Sequence, residues 1–219
     1  MPIVAMGRFP DEALRSYVFE LTRKKRPRLL FVPTAGAETA GSILAIYEQL
    51  GPVADVTAVR FFPWPADDLR DRLLEQDIVL VGGGNTANML AIWRVHGFDA
   101  SLREAWERDV VLAGWSAGAI CWFEAAVTDS FGPQLEGMRD GLGFLPGSAC
   151  PHYDGEELRR PRYSELVRGG FPAGIAIDDD VAVHFDGTEL VEVVTSRDGA
   201  TAYRVSEAGE QALDARLIT

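Results

Sequence analysis

The residue best placed to do chemistry is a serine set between glycines. In Val110-Val111-Leu112-Ala113-Gly114-Trp115-Ser116-Ala117-Gly118-Ala119-Ile120-Cys121-Trp122-Phe123 an apolar run passes into Gly-Trp-Ser-Ala-Gly and then into an Ala-rich segment. That order predicts strand, sharp turn and helix, with Ser116 at the corner. A serine at such a turn sits in a strained backbone conformation that exposes its Oγ, and Gly114 and Gly118 let strand and helix close around it. The competing use of Ser116 is to cap the helix it precedes.

A second chemical feature lies one strand–helix unit earlier. Val81 runs into Gly82-Gly83-Gly84-Asn85-Thr86, and a helical pattern follows. Consecutive glycines between a strand and a helix let backbone N–H groups converge on an anion or an oxyanion. The spacing is neither the dinucleotide-binding fingerprint nor a phosphate-binding P-loop. In an open α/β sheet ligands gather outside the carboxyl ends of the strands, so this loop and Ser116 are expected to share one crevice.

A serine nucleophile needs a base, usually a histidine held by a carboxylate. Of the three histidines, His96 falls at a helix end and His184 alternates with apolar residues in a strand, which gives both structural explanations. His152, in the loop Pro151-His152-Tyr153-Asp154 downstream of Ser116, is the candidate base. For the acid the residues offer Asp129, in the turn past the helix expected to run from Ser116 to about residue 127, and Glu124 on that helix. Glu124 would lie about 12 Å along the axis from Ser116, which favours Asp129. Either choice gives the order Ser, acid, His, as in other elbow hydrolases. Asp154 is too near His152 in sequence to orient it easily but could help to bind substrate.

The elements that must carry these residues alternate. Apolar runs at residues 3–6, 28–34, 55–61, 77–81 and 110–113 read as strands, and helical patterns at 12–21, 39–50, 66–74, 86–93 and 100–107 lie between them. This predicts a three-layer α/β/α fold with a mostly parallel central sheet covered on both faces. The β-rich remainder (174–177, 181–185, 189–194 and 201–205) reads as antiparallel strands extending that sheet near the C-terminus. No linker or repeat divides residues 1–219, which read as a single domain.

The 33 acidic residues against 21 Lys and Arg give a net charge of −12, which argues against binding nucleic acid or an anionic membrane. Acid clusters such as Asp178-Asp179-Asp180 read as a solvated surface. Two cysteines, Cys121 and Cys150, are too few for a disulfide framework, and no apolar run reaches the length of a membrane span, so a cytoplasmic location is expected.

Taken together, Gly82-Gly83-Gly84-Asn85-Thr86, Gly114-Trp115-Ser116-Ala117-Gly118-Ala119 and Pro151-His152-Tyr153 resemble the peptidase E group of serine peptidases, which includes aspartyl dipeptidases and, more distantly, cyanophycinases. The likeness spans about residues 28–180. It implies a class I glutamine amidotransferase-like (flavodoxin-like) fold with serine in place of cysteine. It further implies Ser116 as nucleophile, His152 as base, and a carboxylate between them, with Asp129 nearest the family's acid. Backbone N–H groups of Gly83, Gly84 and Ala117 would form the oxyanion hole. Asn85 and Thr86 would line the substrate site, and one of Arg159, Arg160 or Arg162 would receive an acidic side chain. The reading is a serine peptidase acting on dipeptides or short peptides, as monomer or homodimer, with no metal or organic cofactor implied. An esterase or amidase using the same elbow, and an inactive binding domain, are the alternatives.

Overall fold

The uninterrupted apolar runs form the centre of one sheet. In the computed structural model, which describes Met1–Thr219, β1 (Pro2–Met6), β2 (Arg28–Val32), β3 (Asp55–Ala58), β4 (Ile78–Val81) and β5 (Val111–Trp115) are parallel, in the order β1-β5-β4-β2-β3. Their buried residues divide by parity, as the pleat requires. Val4, Met6, Leu29, Phe31, Ile78, Leu80, Val111 and Ala113 face α1 (Glu12–Glu20) and α2 (Ala40–Leu50) through Leu14, Val18, Ile46 and Leu50. Ile3, Ala5, Leu30, Val32, Val79, Val81 and Leu112 face the other way, towards α3 (Leu69–Leu74), α4 (Thr86–Val95) and α5 (Phe98–Glu107).

The chain beyond the elbow departs from the expectation. The helix at Ser116, α6 (Ala117–Ile120), is a single turn, and residues expected to continue it form a strand, β6 (Phe123–Thr128). Packing explains the switch. Trp122 and Phe123 bury their rings against Phe144 and Phe185, and β6 finds a parallel partner in β8 (Leu145–Cys150), which outweighs the helix preference of the Ala residues. Glu124 therefore lies on a strand. With β7 (Glu136–Met138), β9 (Gly174–Ile177), β12 (Ala202–Ser206) and β13 (Gly209–Ala212), these strands form a second sheet, ordered β13-β12-β9-β8-β6-β7.

The C-terminal strands are accordingly shared out. β10 (Val181–Asp186) pairs antiparallel with β1, and β11 (Glu189–Thr195) with β10, extending the first sheet as expected; β14 (Ala215–Leu217) adds to β11 in parallel. The strands at 174–177 and 202–206 belong instead to the second sheet. That sheet packs through Phe123, Ala126, Leu145, Ala149, Ile175 and Ile177 onto the face already carrying α3, α4 and α5, and α7 (Arg159–Arg168) covers its far side through Tyr163 and Val167. No helix is long and apolar enough to cross a membrane.

Candidate active site

Ser116 joins β5 to α6 with φ 54° and ψ −117°, a conformation that non-glycine residues adopt only where the surroundings enforce it. The enforcement is visible. A Cβ on Gly114 would lie 2.2 Å from the carbonyl of Gly118, and one on Gly118 would lie 2.2 Å from that of Val81, so β4, β5 and α6 approach more closely than any side chain permits. The Ser116 N–H donates to Met6 O at 3.1 Å, and its carbonyl accepts from Ala119 and Ile120 at 2.9 and 3.1 Å. Its side chain makes no capping hydrogen bond, so capping is not what the serine is for. Ala117, the first residue of α6, has no acceptor for its N–H within the helix.

The glycine loop lies against this elbow. A Cβ on Gly83 would be 3.2 Å from Ser116 Cβ and 3.0 Å from Trp115 Nε1. The Trp115 ring is itself stacked on Phe31 and met edge-on by Phe9. Gly84 adopts φ +136°, and a Cβ there would reach 2.1 Å from Ala35 O. On either side Gly82 N–H donates to Val32 O at 3.0 Å and Asn85 N–H to Ala35 O at 2.9 Å, whereas the N–H groups of Gly83 and Gly84 donate to no backbone group.

Asn85 and Thr86, expected to line the substrate site, are occupied in holding the loop. Asn85 Oδ1 caps α4 by accepting from Asn88 N–H at 2.8 Å, and its Nδ2 donates to Ser130 O at 2.9 Å. Thr86 is buried, and its N–H donates to Ser130 Oγ at 2.9 Å; Thr128 Oγ1 lies 2.7 Å from the same hydroxyl. Ser130 thus staples the turn after β6 to the start of α4, next to Gly83 and Gly84. Ser130→Ala leaves the Thr86 N–H, and the Ala87 N–H that shares the same hydroxyl at 3.3 Å, without their acceptor and should lower stability by about 1–2 kcal/mol, measured by urea denaturation.

His152 has its carboxylate, and it is neither Asp129 nor Glu124. His152 Nδ1 is 2.8 Å from Asp179 Oδ1, in the turn between β9 and β10, with both side chains about four-fifths buried. A carboxylate only accepts, so the Nδ1 carries the proton and Nε2 is left as the basic nitrogen. The Tyr153 N–H, bonded to Ile177 O at 3.0 Å, holds the two loops together. Glu124 accepts from Gly147 N–H at 2.8 Å, and Asp129 lies exposed in the turn after β6, where its carbonyl receives the Gly132 N–H. The chain order of the three groups is therefore Ser, His, Asp, which no expectation based on a serine–acid–histidine order could find. The available signal was an acidic triplet directly after a buried strand, Ile175-Ala176-Ile177.

That triplet is not the solvated surface it resembled. Asp178 is 2% exposed, receives the Thr201 N–H at 3.1 Å on Oδ2, and has no partner for Oδ1. Burial pushes its carboxyl above the ordinary carboxylate range, against the opposing pull of Thr201 N–H, Arg160 and Arg197. The folded chain holds this proton more tightly than the unfolded chain, so stability falls as pH rises from the ordinary range through the raised value. Asp178→Asn removes that slope, and urea titrations from about pH 4 to about pH 7 should show the variant gaining on the parent as pH rises.

The arginines proposed to meet an acidic substrate are engaged elsewhere. Arg159 is 4% exposed, with Nε donating to Glu156 at 2.7 Å and Nη1 to Val127 O at 3.3 Å. Arg160 lies over Tyr153 and Tyr203 and pairs with Glu210, while Arg162 donates to Leu135 O at 2.9 Å and to Glu165 at 2.8 Å. The other histidines have the structural places expected of them: His184 Nδ1 is 2.8 Å from Tyr17 OH, and His96 follows α4 with its ring tilted against Phe61.

Ser116 thus stands at a nucleophile elbow at the end of a central strand of a mostly parallel α/β sheet, the arrangement of an elbow-type serine hydrolase. The profile of peptidase family S51 matches residues 4–193, and the chain belongs to that family. It is 45% identical over 211 residues to the uncharacterized peptidase YgaJ of Bacillus subtilis (strain 168), covering 93% of this chain and 91% of that protein. It is 28% identical over 181 residues to peptidase E of Citrobacter koseri, covering 75% and 76%. Among solved structures, a peptidase from an acI-B1 actinobacterium superposes with a TM-score of 0.71 at 19% identity, covering 100% of this chain and 96% of that one. A putative peptidase E from Listeria monocytogenes EGD-e gives 0.66 at 19% identity, covering 87% and 96%. These two show the shared fold.

Proposed function

We propose that this peptidase hydrolyses dipeptides and short peptides through an acyl-enzyme on Ser116, with His152 as base and Asp179 as the carboxylate that orients it. The observation that carries the reading is Ser116 itself, held at φ 54° with its hydroxyl spared from capping. Ser116 Oγ attacks the scissile carbonyl carbon and its proton passes to His152 Nε2. The resulting oxyanion receives N–H groups from Gly83 or Gly84 and from Ala117. Each such donor is worth about 3–4 kcal/mol in the transition state. Collapse breaks the C–N bond as His152 returns the proton to the departing amine, and water, deprotonated by His152, then releases the acid and regenerates Ser116. Asp179 keeps the proton on Nδ1 and stabilises the imidazolium formed at each step.

The same reading places the enzyme in the cytoplasm, supported by two free cysteines, Cys121 and Cys150, that are both buried rather than paired. Digestion of a peptide series of graded length, including Asp-X dipeptides, alongside p-nitrophenyl esters tests the substrate class. Cleavage concentrated in dipeptides and short peptides is the expected result. Turnover of esters with no peptide cleaved would overturn it in favour of an esterase.

A further inference from the structure

We propose that Asp154 and Arg197 are positioning residues that lock the Asp179 carboxylate onto His152, an inference that rests on the Ser116–His152–Asp179 reading. Asp179 lies in a turn between strands, where neither a helix nor a sheet ladder fixes its backbone. Both of its backbone polar groups are nevertheless held by side chains. Asp154 Oδ1 accepts the Asp179 N–H at 2.8 Å, and Arg197 Nη2 donates to the Asp179 carbonyl at 3.0 Å. Asp154 Oδ2 and Arg197 Nη2 are themselves an ion pair, which closes a ring around the peptide units of the turn.

The ring is anchored at each corner. Asp154 is two residues past His152, so the loop that carries the base also grips the acid. Arg197 Nε donates to Asp180 Oδ2 at 3.1 Å, and Asp180 Oδ1 is paired with Arg8 Nε at 3.2 Å. The Asp180 carbonyl accepts from Ser196 N–H at 3.1 Å, and the Thr195 hydroxyl, 3.1 Å from the Asp180 carbonyl and 2.9 Å from that of Arg197, shares its one proton between them, so the turn that presents Arg197 is tied to the turn it holds. On the remaining side a Cβ on Gly155 would lie 2.2 Å from Asp179 Oδ2, so the carboxylate is confined by a residue with no side chain.

Charge is distributed to the same end. The Arg197 guanidinium goes to Asp154 and Asp180 and meets Asp179 only at its carbonyl, so the Asp179 carboxylate keeps its charge for the imidazolium of His152. Ion pairs as exposed as these, with Arg197 at 44% and Asp154 at 30%, add little to stability. Their geometry does more, because small misplacements of a reacting group lower the rate steeply.

The test compares Asp154→Ala, Asp154→Asn and Arg197→Gln by steady-state kinetics on a cleaved peptide, with the low-field proton resonance of the His152–Asp179 hydrogen bond as a second readout. Asp154→Ala and Arg197→Gln should lower kcat about 10- to 100-fold with KM unchanged, and should broaden or abolish that resonance. Asp154→Asn, which keeps an acceptor for the Asp179 N–H but turns an amide N–H₂ towards Arg197, should fall between the parent and Asp154→Ala in both readouts. Wild-type kcat and an intact resonance in both Asp154→Ala and Arg197→Gln, with Asp179→Asn inactive, would overturn the clamp and leave the triad standing. An active Asp179→Asn would instead remove the reading on which the clamp rests. Should Asp154→Ala fail to fold, Arg197→Gln decides alone: slowed kcat with a weakened resonance supports the clamp, and parental behaviour overturns it.

Discussion

Ser116→Ala is expected to lower kcat for peptide hydrolysis by about 10⁴-fold or more while leaving the protein as stable as its parent. On the proposed mechanism the loss is large, because His152 and the oxyanion donors would act on an oxygen that is no longer there. Stability is spared for two structural reasons. The hydroxyl makes no capping hydrogen bond to lose, and alanine has the same Cβ as serine, so the strain at φ 54° and ψ −117° is unchanged. Ser116→Gly should go further and gain about 1 kcal/mol by releasing that strain. Paired kinetic and thermal-melting measurements check both statements. An alanine variant that still turns over peptide would place the nucleophile elsewhere, and one that melts far below the parent would mean that the serine is held for structural reasons.

If the proposed triad holds, Asp179→Asn should lower kcat by about 10³- to 10⁴-fold, because the amide would no longer keep the proton on Nδ1 and present Nε2 to the nucleophile. The same exchange at Asp129, favoured by spacing, and at Glu124, the alternative, should have little effect. Glu124→Gln retains an oxygen for the Gly147 N–H, and Asp129→Asn alters an exposed turn. Measuring kcat/KM for the three variants side by side separates the candidates, since only one should fall by orders of magnitude. Near-parental activity in Asp179→Asn would return the assignment to Asp129 or Glu124.

The contrast shows which parts of the site a sequence carries. Gly114, Ser116 and Gly118 were legible because the elbow is local: the close approach of β4, β5 and α6 is a requirement on three neighbouring positions, and only glycine satisfies it. The Gly82-Gly83-Gly84 turn was legible for the same reason, and His152 stood out because few histidines compete with it. Asp179 was not legible. Its link to His152 depends on β9 entering a second sheet beside β8, and nothing in the local pattern of 174–180 announces that pairing. The same hidden sheet turned the expected long helix after Ser116 into one turn and a strand, which moved Glu124 off the helix assumed for it and set the turn of Asp129 at the end of a strand. The bonds of Asn85 and Thr86 to Ser130 were not legible either, since they arise only when β6 brings its following turn to the start of α4. The parallel strands of the first sheet are legible as continuous apolar runs, and the β-rich remainder is legible as strands but not in its division between two sheets.

Reaction with a fluorophosphonate probe, followed by mass-spectrometric mapping of the adduct, tests the central claim most directly. A single phosphonyl adduct on Ser116 is expected, formed slowly in His152→Ala and in Asp179→Asn. An adduct on another residue, or a probe that leaves Ser116 unmodified while peptide hydrolysis continues undiminished, would contradict it.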